Sequence, residues 1–272
     1  MNRYKNIFQK LKLIQEGCFI PFITIGDPSE KLFFKIVDIL IQSGADALEL
    51  GIPFSDPLAD GPIIQKSNLR ALSLGTDMLK CFSIIKILRC KYPNLPIGIL
   101  IYANMILNQK INQFYKLCQK CGIDSVLVPD LPIEEYVEFD KYAQLNNIFS
   151  ILVCPPNANE SLIYNIAMKG KGYIYLLSRP GVTGLTNKIN YINKNIINKL
   201  KIHHSVPIIQ GFGISETHHI ISSLSYGTHG VICGSVIIQL IEKYYSQKNI
   251  MLKKIKNITK ILKNATKNRL II

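Results

Sequence analysis

The feature that most constrains the fold is a regular alternation of short apolar segments with longer segments of helical periodicity. The apolar segments are Phe19–Ile25, Ala47–Gly51, Pro96–Tyr102, Ser125–Val128, Phe149–Val153, Tyr173–Leu177, Pro207–Gln210 and Gly230–Cys233. Strands that alternate with helices are typical of a parallel sheet covered on both faces. Eight such units in 272 residues fit a closed barrel better than two doubly wound domains. We therefore predict a single (β/α)8 TIM-barrel domain over residues 1–272, with an extra N-terminal helix and additional helices.

The net charge is strongly basic, at a formal +14, and raises the question of nucleic-acid binding. Lysine supplies most of this charge and is spread along the chain. The densest basic stretch, Lys253–Arg269, alternates with Ile255, Ile258 and Leu262, which is typical of an amphipathic helix with a solvated face. A compositional bias toward Lys, Asn and Ile explains the charge as well as a function does. We predict no nucleic-acid partner.

A membrane segment and a secretory signal are not indicated. The longest apolar run, Cys18–Ile25, is interrupted by Pro21 and is much shorter than the ~20 residues that span a bilayer. The basic N-terminal segment has apolar residues such as Tyr4 and Leu11 at helical spacing, which favours a packed helix over a transit peptide. Seven scattered cysteines indicate free thiols in a reducing compartment. We predict a cytoplasmic protein that does not enter a membrane.

The motifs that could bind a metal are weak. Cys118 and Cys121 form a single CxxC pair late in a helical segment, without a second pair. His203–His204 and His218–His219 are adjacent pairs, and neighbouring residues do not share a helix face. We therefore predict no metal site, and the sequence contains neither a Walker loop nor a Rossmann glycine fingerprint.

Acidic residues cluster at the end of the second predicted strand. Glu49 stands in an apolar strand, and Asp56 and Asp60 follow in a loop that prolines stiffen. A carboxylate desolvated in a strand needs a partner or a chemical role, and we expect burial among Leu48 and Leu50 to raise the pKa of Glu49. Two carboxylates near one strand end are suited to acid–base chemistry. On this stretch alone, a structural acid followed by aspartates in turns is an equally open interpretation.

Glycines follow the seventh and eighth predicted strands. Gly211-Phe212-Gly213 ends the seventh, and Gly234-Ser235 opens a helix after the eighth. Glycine lets a backbone approach an anion closely, and the N–H groups at a helix N-terminus favour negative charge. Because barrels commonly bind phosphate at these two strands, we predict a phosphate site, against the alternative that the glycines serve turns only.

Other residues near the strand ends could line an apolar pocket at the same mouth of the barrel. Tyr102 and Tyr175 lie near the ends of strands three and six, and Phe22, Leu100 and Leu127 lie on other strands. Each alone is more typical of core packing. Together with the acids and the glycine loops, they predict an enzyme that acts by cofactor-free proton transfer on a small phosphorylated substrate with an aromatic group.

In their order and spacing, these motifs resemble the alpha chain family of tryptophan synthase. The resemblance covers nearly the whole chain, and the stretches that carry it are Pro21–Pro28, Leu48–Pro62, Val128–Pro132, Ser178–Gly184, Gly211–Ser215 and Cys233–Ser235. It implies a retro-aldol cleavage of indole-3-glycerol phosphate to indole and glyceraldehyde 3-phosphate, a lyase reaction of tryptophan biosynthesis.

The resemblance also implies a role for each matching residue. Glu49 would move protons between the glycerol hydroxyl and the indole C3, Asp60 would accept the indole N–H, and Tyr175 would lie beside Glu49 in support. The residues implied to line the pocket are Phe22, Leu100, Tyr102, Leu127 and Thr183. Those implied to bind the phosphate are Gly184, Phe212, Gly213, Gly234 and Ser235.

The family further implies a partner, the tryptophan synthase beta chain, in an alpha-beta-beta-alpha heterotetramer with a tunnel for indole. Pyridoxal phosphate would belong to that beta chain, so we expect no cofactor in this one. The loop Pro53–Pro62, with Asp56 as a loop or partner-contact residue, and a glycine-containing lid over residues 178–190 are implied to communicate between the subunits.

Two departures from the family pattern accompany the resemblance. Met105 stands where the family usually has proline, on a loop implied to face the partner, and Pro180 replaces a small residue of the lid.

Two other functions are left open by the sequence. One is a barrel enzyme for a different phosphorylated substrate, such as a sugar-phosphate isomerase, and the other is a non-catalytic regulatory subunit that activates a beta chain.

Overall fold

Eight parallel strands close into a barrel in the computed structural model, which describes residues 2–178 and 194–267. Each strand pairs with its neighbours in sequence, and the eighth pairs with the first. The strands are β1 (Cys18–Thr24), β2 (Leu48–Gly51), β3 (Ile97–Leu100), β4 (Ser125–Leu127), β5 (Phe149–Cys154), β6 (Ile174–Leu177), β7 (Ile208–Gly211) and β8 (Gly230–Cys233). The predicted (β/α)8 fold is confirmed.

Helices surround the barrel, and most of them lie between consecutive strands. Those in the described part of the chain are α1 (Arg3–Leu13), α2 (Glu30–Gln42), α3 (Pro62–Ser73), α4 (Met78–Lys91), α5 (Ala103–Asn108), α6 (Ile111–Cys121), α7 (Tyr136–Leu145), α8 (Glu160–Lys169), α9 (Lys194–Ile202), α10 (Thr217–Ser225), α11 (Ser235–Tyr244) and α12 (Lys248–Ala265). Two helix ends follow signals that are visible in the sequence, since the Ser29 hydroxyl caps α2 and Gly122, with φ of 72°, ends α6.

Two helices differ from the sequence prediction. Helix α5, after β3, was not predicted, because its six residues are too few to show helical periodicity. The sequence pattern predicts that the helix after β4 begins at Ile133. Helix α7 begins at Tyr136 instead, since residues 133–135 form a separate turn in which the Glu135 N–H donates to the Pro132 carbonyl.

Strand side chains alternate between the interior of the barrel and the surrounding helices. In β2, Leu48 and Leu50 pack outward with the helices, whereas Ala47 belongs to the interior cluster, so Glu49 points inward as well. This arrangement corrects one detail of the prediction. The burial of Glu49 comes from the barrel interior and not from its neighbours Leu48 and Leu50.

The N-terminal helix closes one end of the barrel. Tyr4 of α1 is 1% exposed, its hydroxyl lies 2.9 Å from the Ser125 hydroxyl of β4, and its ring lies 5.5 Å from that of Tyr173. The adjacent Arg3 forms an ion pair of 2.7 Å with Asp124. The opposite mouth, at the carboxyl ends of the strands, is therefore the one left to receive a ligand.

Within the described residues, the basic C-terminal segment forms the predicted amphipathic helix as far as Ala265. In α12, Ile255 and Leu262 are buried, while Lys253 and Lys254 face solvent. Lys263 is an exception, because its ammonium lies 2.9 Å from Asp46 and ties the helix to the barrel. Among the described residues, no helix is both long and apolar enough to cross a membrane.

Candidate active site

A pocket opens at the carboxyl ends of the strands and brings together most of the predicted site residues. Those that line it are Phe22, Glu49, Asp60, Leu100, Leu127, Tyr175, Phe212, Gly213, Gly234 and Ser235. Tyr102, which the resemblance implied to line the pocket, is not part of this lining and instead lies within hydrogen-bonding reach of Asp60. Thr183 and Gly184 lie outside the described residues, as do Pro180 and the rest of the predicted lid beyond Ser178.

Glu49 lies deep in this pocket, in the interior of β2. It is 2% exposed, and the strand register places it beside Phe22 of β1 and Gly98 of β3. The Tyr173 hydroxyl donates a hydrogen bond of 3.2 Å to Oε1. Burial raises the pKa of Glu49 to about 8, which outweighs the lowering effect of that hydrogen bond. At neutral pH this carboxyl group is therefore largely protonated and can donate a proton.

Asp60 lies on the loop after β2 and is 5% exposed. Its carboxylate accepts hydrogen bonds from the Asn68 amide, at 3.2 Å, and from the Tyr102 hydroxyl. Its main-chain carbonyl accepts a bond of 2.8 Å from the side chain of Gln65. Burial raises the pKa of Asp60 to about 6, and the two side-chain donors oppose that rise. Near neutral pH, Asp60 is charged while Glu49 holds its proton.

Tyr175 lines the pocket but does not supply the hydrogen bond to Glu49. Its hydroxyl bonds to the main chain of Phe212, and its ring packs edge-on against the Phe212 ring at 6.1 Å. Its pKa is raised well above the usual value, first by burial and then by the charges of Glu49 and Asp60. Gly211 makes room for this side chain, because a methyl group at Gly211 would overlap the end of the Tyr175 ring.

The residue that contacts Glu49, Tyr173, was missed by the sequence analysis, as was Asn68. Tyr173 and Tyr175 lie two residues apart and share the inner face of the barrel, so strand alternation could have identified both. Asn68 gave no comparable signal, because the sequence does not show which face of α3 turns toward the loop that carries Asp60.

The predicted phosphate end of the pocket is built by the loops after β7 and β8. Phe212 and Gly213 adopt positive φ values of 66° and 72°, a conformation that glycine reaches at low cost. Ser235 is the first residue of the ten-residue helix α11, and Gly234 is its N-cap. The pocket therefore presents main-chain N–H groups and a helix N-terminus, which suit an anion.

The walls between the acids and the anion end are apolar. The side chains that form them are Phe22, Ile64, Leu100, Leu127, Val153, Leu177 and Ile232. The Phe22 ring lies against the Cα atoms of both Gly51 and Gly234, where a methyl group would collide with it. Such walls fit a flat aromatic group better than a polyhydroxylated sugar.

No group of three potential metal ligands occurs in the residues that the structure describes.

Comparisons with known proteins agree with this geometry. The family model described as tryptophan synthase alpha chain matches residues 8–267. The chain is 50% identical over 266 residues to the tryptophan synthase alpha chain of Buchnera aphidicola subsp. Melaphis rhois, with 98% of each chain covered. It is 48% identical over 267 residues to that of Sodalis glossinidius, covering 98% of this chain and all of the relative.

Solved structures show the same similarity. The tryptophan synthase alpha chain of Legionella pneumophila is 28% identical, has a TM-score of 0.87 and matches over 98% of both chains. A structure of the tryptophan synthase complex from Pyrococcus furiosus contains a chain that is 30% identical, with a TM-score of 0.81, over 91% of this chain and 98% of that one. The chain belongs to the tryptophan synthase alpha chain family.

Proposed function

We propose that this chain catalyses the alpha reaction of tryptophan synthase, the cleavage of indole-3-glycerol phosphate to indole and glyceraldehyde 3-phosphate. The observation that carries this proposal is the pairing of two buried carboxyl groups, Glu49 and Asp60, in one apolar pocket. The other end of this pocket is an anion cradle, the segments at Gly213, Gly234 and Ser235. The environments of the two carboxyl groups favour opposite protonation states near neutral pH, as acid–base chemistry on one substrate requires.

Glu49 is assigned both proton transfers. In its protonated form it donates a proton to C3 of the indole ring, which converts the ring to a cationic indolenine. The resulting carboxylate takes the proton of the hydroxyl on the adjacent glycerol carbon as the carbon–carbon bond breaks. The bonding electrons return to the ring, so indole and the aldehyde leave and Glu49 regains its proton.

We assign to Asp60 the stabilisation of the positive charge that appears on the indole ring. Protonation at C3 makes the ring nitrogen electron-poor, and an ionised carboxylate that accepts the N–H stabilises that charge more in the transition state than in the substrate. In the described chain, the pKa of Asp60 is shifted by burial and by the neutral donors Asn68 and Tyr102. No cation among these groups competes with the indole ring for the carboxylate.

The phosphate is assigned to the loops after β7 and β8. Gly213, Gly234 and Ser235 would supply main-chain N–H groups, and Gly184 would complete the cradle in keeping with the family resemblance. Phosphate held at this end fixes the glycerol carbons and so aligns the bond to be broken with the acids.

We also propose a beta chain partner that carries pyridoxal phosphate. A relative of known structure, from Pyrococcus furiosus, is described as part of a tryptophan synthase a2b2 complex with mutual activation. In this chain, Leu58 is 80% exposed and Leu107 of α5 is 54% exposed, which suits a face that docks on another protein. Met105, also in α5, packs partly against the core, so an apolar residue is kept where the family usually has proline. A cytoplasmic location is supported by the seven cysteines, all of them free.

An indole-release assay with Glu49→Gln tests the proposed reaction. We expect the wild-type chain to release indole, with and without a beta chain, and the variant to lose at least ~10² of the rate while its fold is retained. Near-normal turnover of the variant would contradict the assignment of Glu49. No indole from the wild type, together with normal activation of the beta chain, would instead identify a regulatory subunit.

A further inference from the structure

Asn68 lies beneath the Asp60 carboxylate, on the inner side of helix α3. Its side chain is 3% exposed, and its amide nitrogen donates a hydrogen bond of 3.2 Å to Oδ2 of Asp60. A buried amide is costly unless it is hydrogen-bonded, and this bond satisfies it. The bond joins a residue of the proposed reaction to helix α3, which carries none of the residues assigned a chemical step.

Helix α3 is anchored to the end of β1 by the residues on either side of Asn68. The Ser67 hydroxyl and the Arg70 guanidinium both donate to the Asp27 carboxylate, with Arg70 bonds of 2.8 and 2.7 Å. Asp27 is 1% exposed and Ser67 is fully buried. Bidentate pairs of this kind restrict the orientation of both partners, so they hold in place the part of α3 that carries Asn68.

The remaining groups around Asp60 do not replace this contact. Tyr102, after β3, donates to the same carboxylate, while Gln65 bonds only to the main-chain carbonyl. In the described chain the titratable groups that face Asp60 are Tyr102 and Tyr175, and Glu49 lines the same pocket. None of these is a cation, so the charged form of Asp60 depends on neutral hydrogen-bond donors.

We propose that Asn68 is a positioning residue for the alpha reaction, one whose amide orients the Asp60 carboxylate toward the indole nitrogen and keeps it ionised. This inference rests on the function proposed above. Without the Asn68 donor, burial acts on Asp60 with less opposition, and the carboxyl group becomes protonated at a higher pH. As the pH is lowered, turnover should therefore begin to decline at a higher pH than in the wild type.

The test is the pH profile of indole release by three variants of the full chain, measured together with the wild type. Asn68→Leu removes the donor at similar volume, and Asn68→Asp adds a second acid at the same size. Ser67→Ala is the matched control, since it removes the neighbouring buried donor of α3, which contacts Asp27 and not Asp60. Unfolding temperatures and circular dichroism are recorded for each.

We expect Asn68→Leu to lower kcat about tenfold at pH 7, the scale of one hydrogen bond to a charged group, with a smaller change in KM. On the acidic side of the profile, the pH at which half of the turnover is lost should be higher in Asn68→Leu than in the wild type, and higher still in Asn68→Asp. In Ser67→Ala this pH should be unchanged, even where that variant is less stable. The substrate phosphate also titrates near pH 6, but it is common to all the variants and cannot produce a difference between them.

Two results would overturn the inference. One is a wild-type profile in both Asn68 variants, and the other is an equal shift in Ser67→Ala, which would assign the effect to the packing of α3. If Asn68→Leu does not fold, the isosteric Asn68→Asp decides alone. An inactive wild-type chain would contradict the proposed function itself, whereas an active wild type with unshifted variants contradicts only the role of Asn68.

Discussion

The hydroxyl group of Tyr173 donates a 3.2 Å hydrogen bond to Oε1 of Glu49 at the centre of the barrel. This bond stabilises the ionised carboxylate, while burial favours the protonated acid. The bond and the burial together place the pKa of Glu49 at about 8, near enough to neutrality for the carboxyl group to give and take protons within one turnover.

Replacement of Tyr173 by phenylalanine removes this donor and keeps the ring. We expect the pKa of Glu49 to rise further, because the hydrogen bond no longer opposes burial. Since the reaction begins with the protonated acid, the alkaline limb of the kcat/KM profile should move to higher pH. The matched control is Tyr4→Phe, which deletes an equally buried hydroxyl that bonds to Ser125 instead. An identical shift in both variants would show that the effect is not specific to Glu49.

Glu49 should also make the stability of the fold depend on pH. Because its native pKa, about 8, lies above the ordinary 4.5, the native state holds the proton more tightly than the unfolded chain does. The contribution to stability is therefore present below pH 4.5 and is lost as the pH rises to about 8. Glu49→Gln removes this loss, so the variant should gain free energy of unfolding relative to wild type across that range, by up to about 4 kcal/mol.

Urea unfolding of wild type and Glu49→Gln at pH 5 and pH 9 measures the difference. The exposed Glu134→Gln serves as the control for loss of one carboxyl group. A difference between Glu49→Gln and wild type that does not change with pH would mean that Glu49 is not desolvated in the native state.

Replacement of Asp60 by asparagine keeps the size of the side chain and removes its charge. We expect turnover to fall by about 10² to 10³, the range seen when one group that stabilises a developing charge is removed. Binding of glycerol 3-phosphate, measured by calorimetry, should persist because Gly213 and Ser235 lie at the ends of β7 and β8, whereas Asp60 lies on the loop after β2. Loss of both turnover and binding would point to a structural role for Asp60.

A methyl group at Gly211 should disturb the pocket through Tyr175. The added carbon would overlap the end of the Tyr175 ring, and the ring would have to move into the site. We expect Gly211→Ala to lower kcat/KM on the order of 10²-fold, as for displacements of about 1 Å near reacting groups. Gly75→Ala is the comparison, because that position has positive φ but open space around it. It should cost stability without lowering turnover.

The fold was predictable because its signal is repeated. Each apolar segment, such as Ala47–Gly51, is followed by a helical pattern, and the repetition compensates for the weakness of any single segment. Helix α5 lacks such support, since its six residues are shorter than the period that reveals a helix.

The site was predictable where its residues occupy strand ends and turns. Glu49, Asp60 and Gly213 carry local signals, namely a lone acid in a strand, an acid among prolines and a glycine after a strand. Tyr173 and Asn68 act through contacts across the barrel or between a helix and a loop. Those contacts depend on strand register and helix rotation, which sequence spacing does not determine.

The closure of the barrel by α1 has a consequence for the isotopic fate of the substrate hydrogen. With Tyr4 filling the far end, the pocket that Glu49 lines opens, in the part of the chain that the structure describes, at the mouth proposed for the substrate. A proton taken from the glycerol hydroxyl is therefore retained on the carboxyl group until product leaves. When the reaction is run in deuterated water, the hydrogen held by Glu49 should exchange with solvent at the rate of product release and not at the rate of bond cleavage.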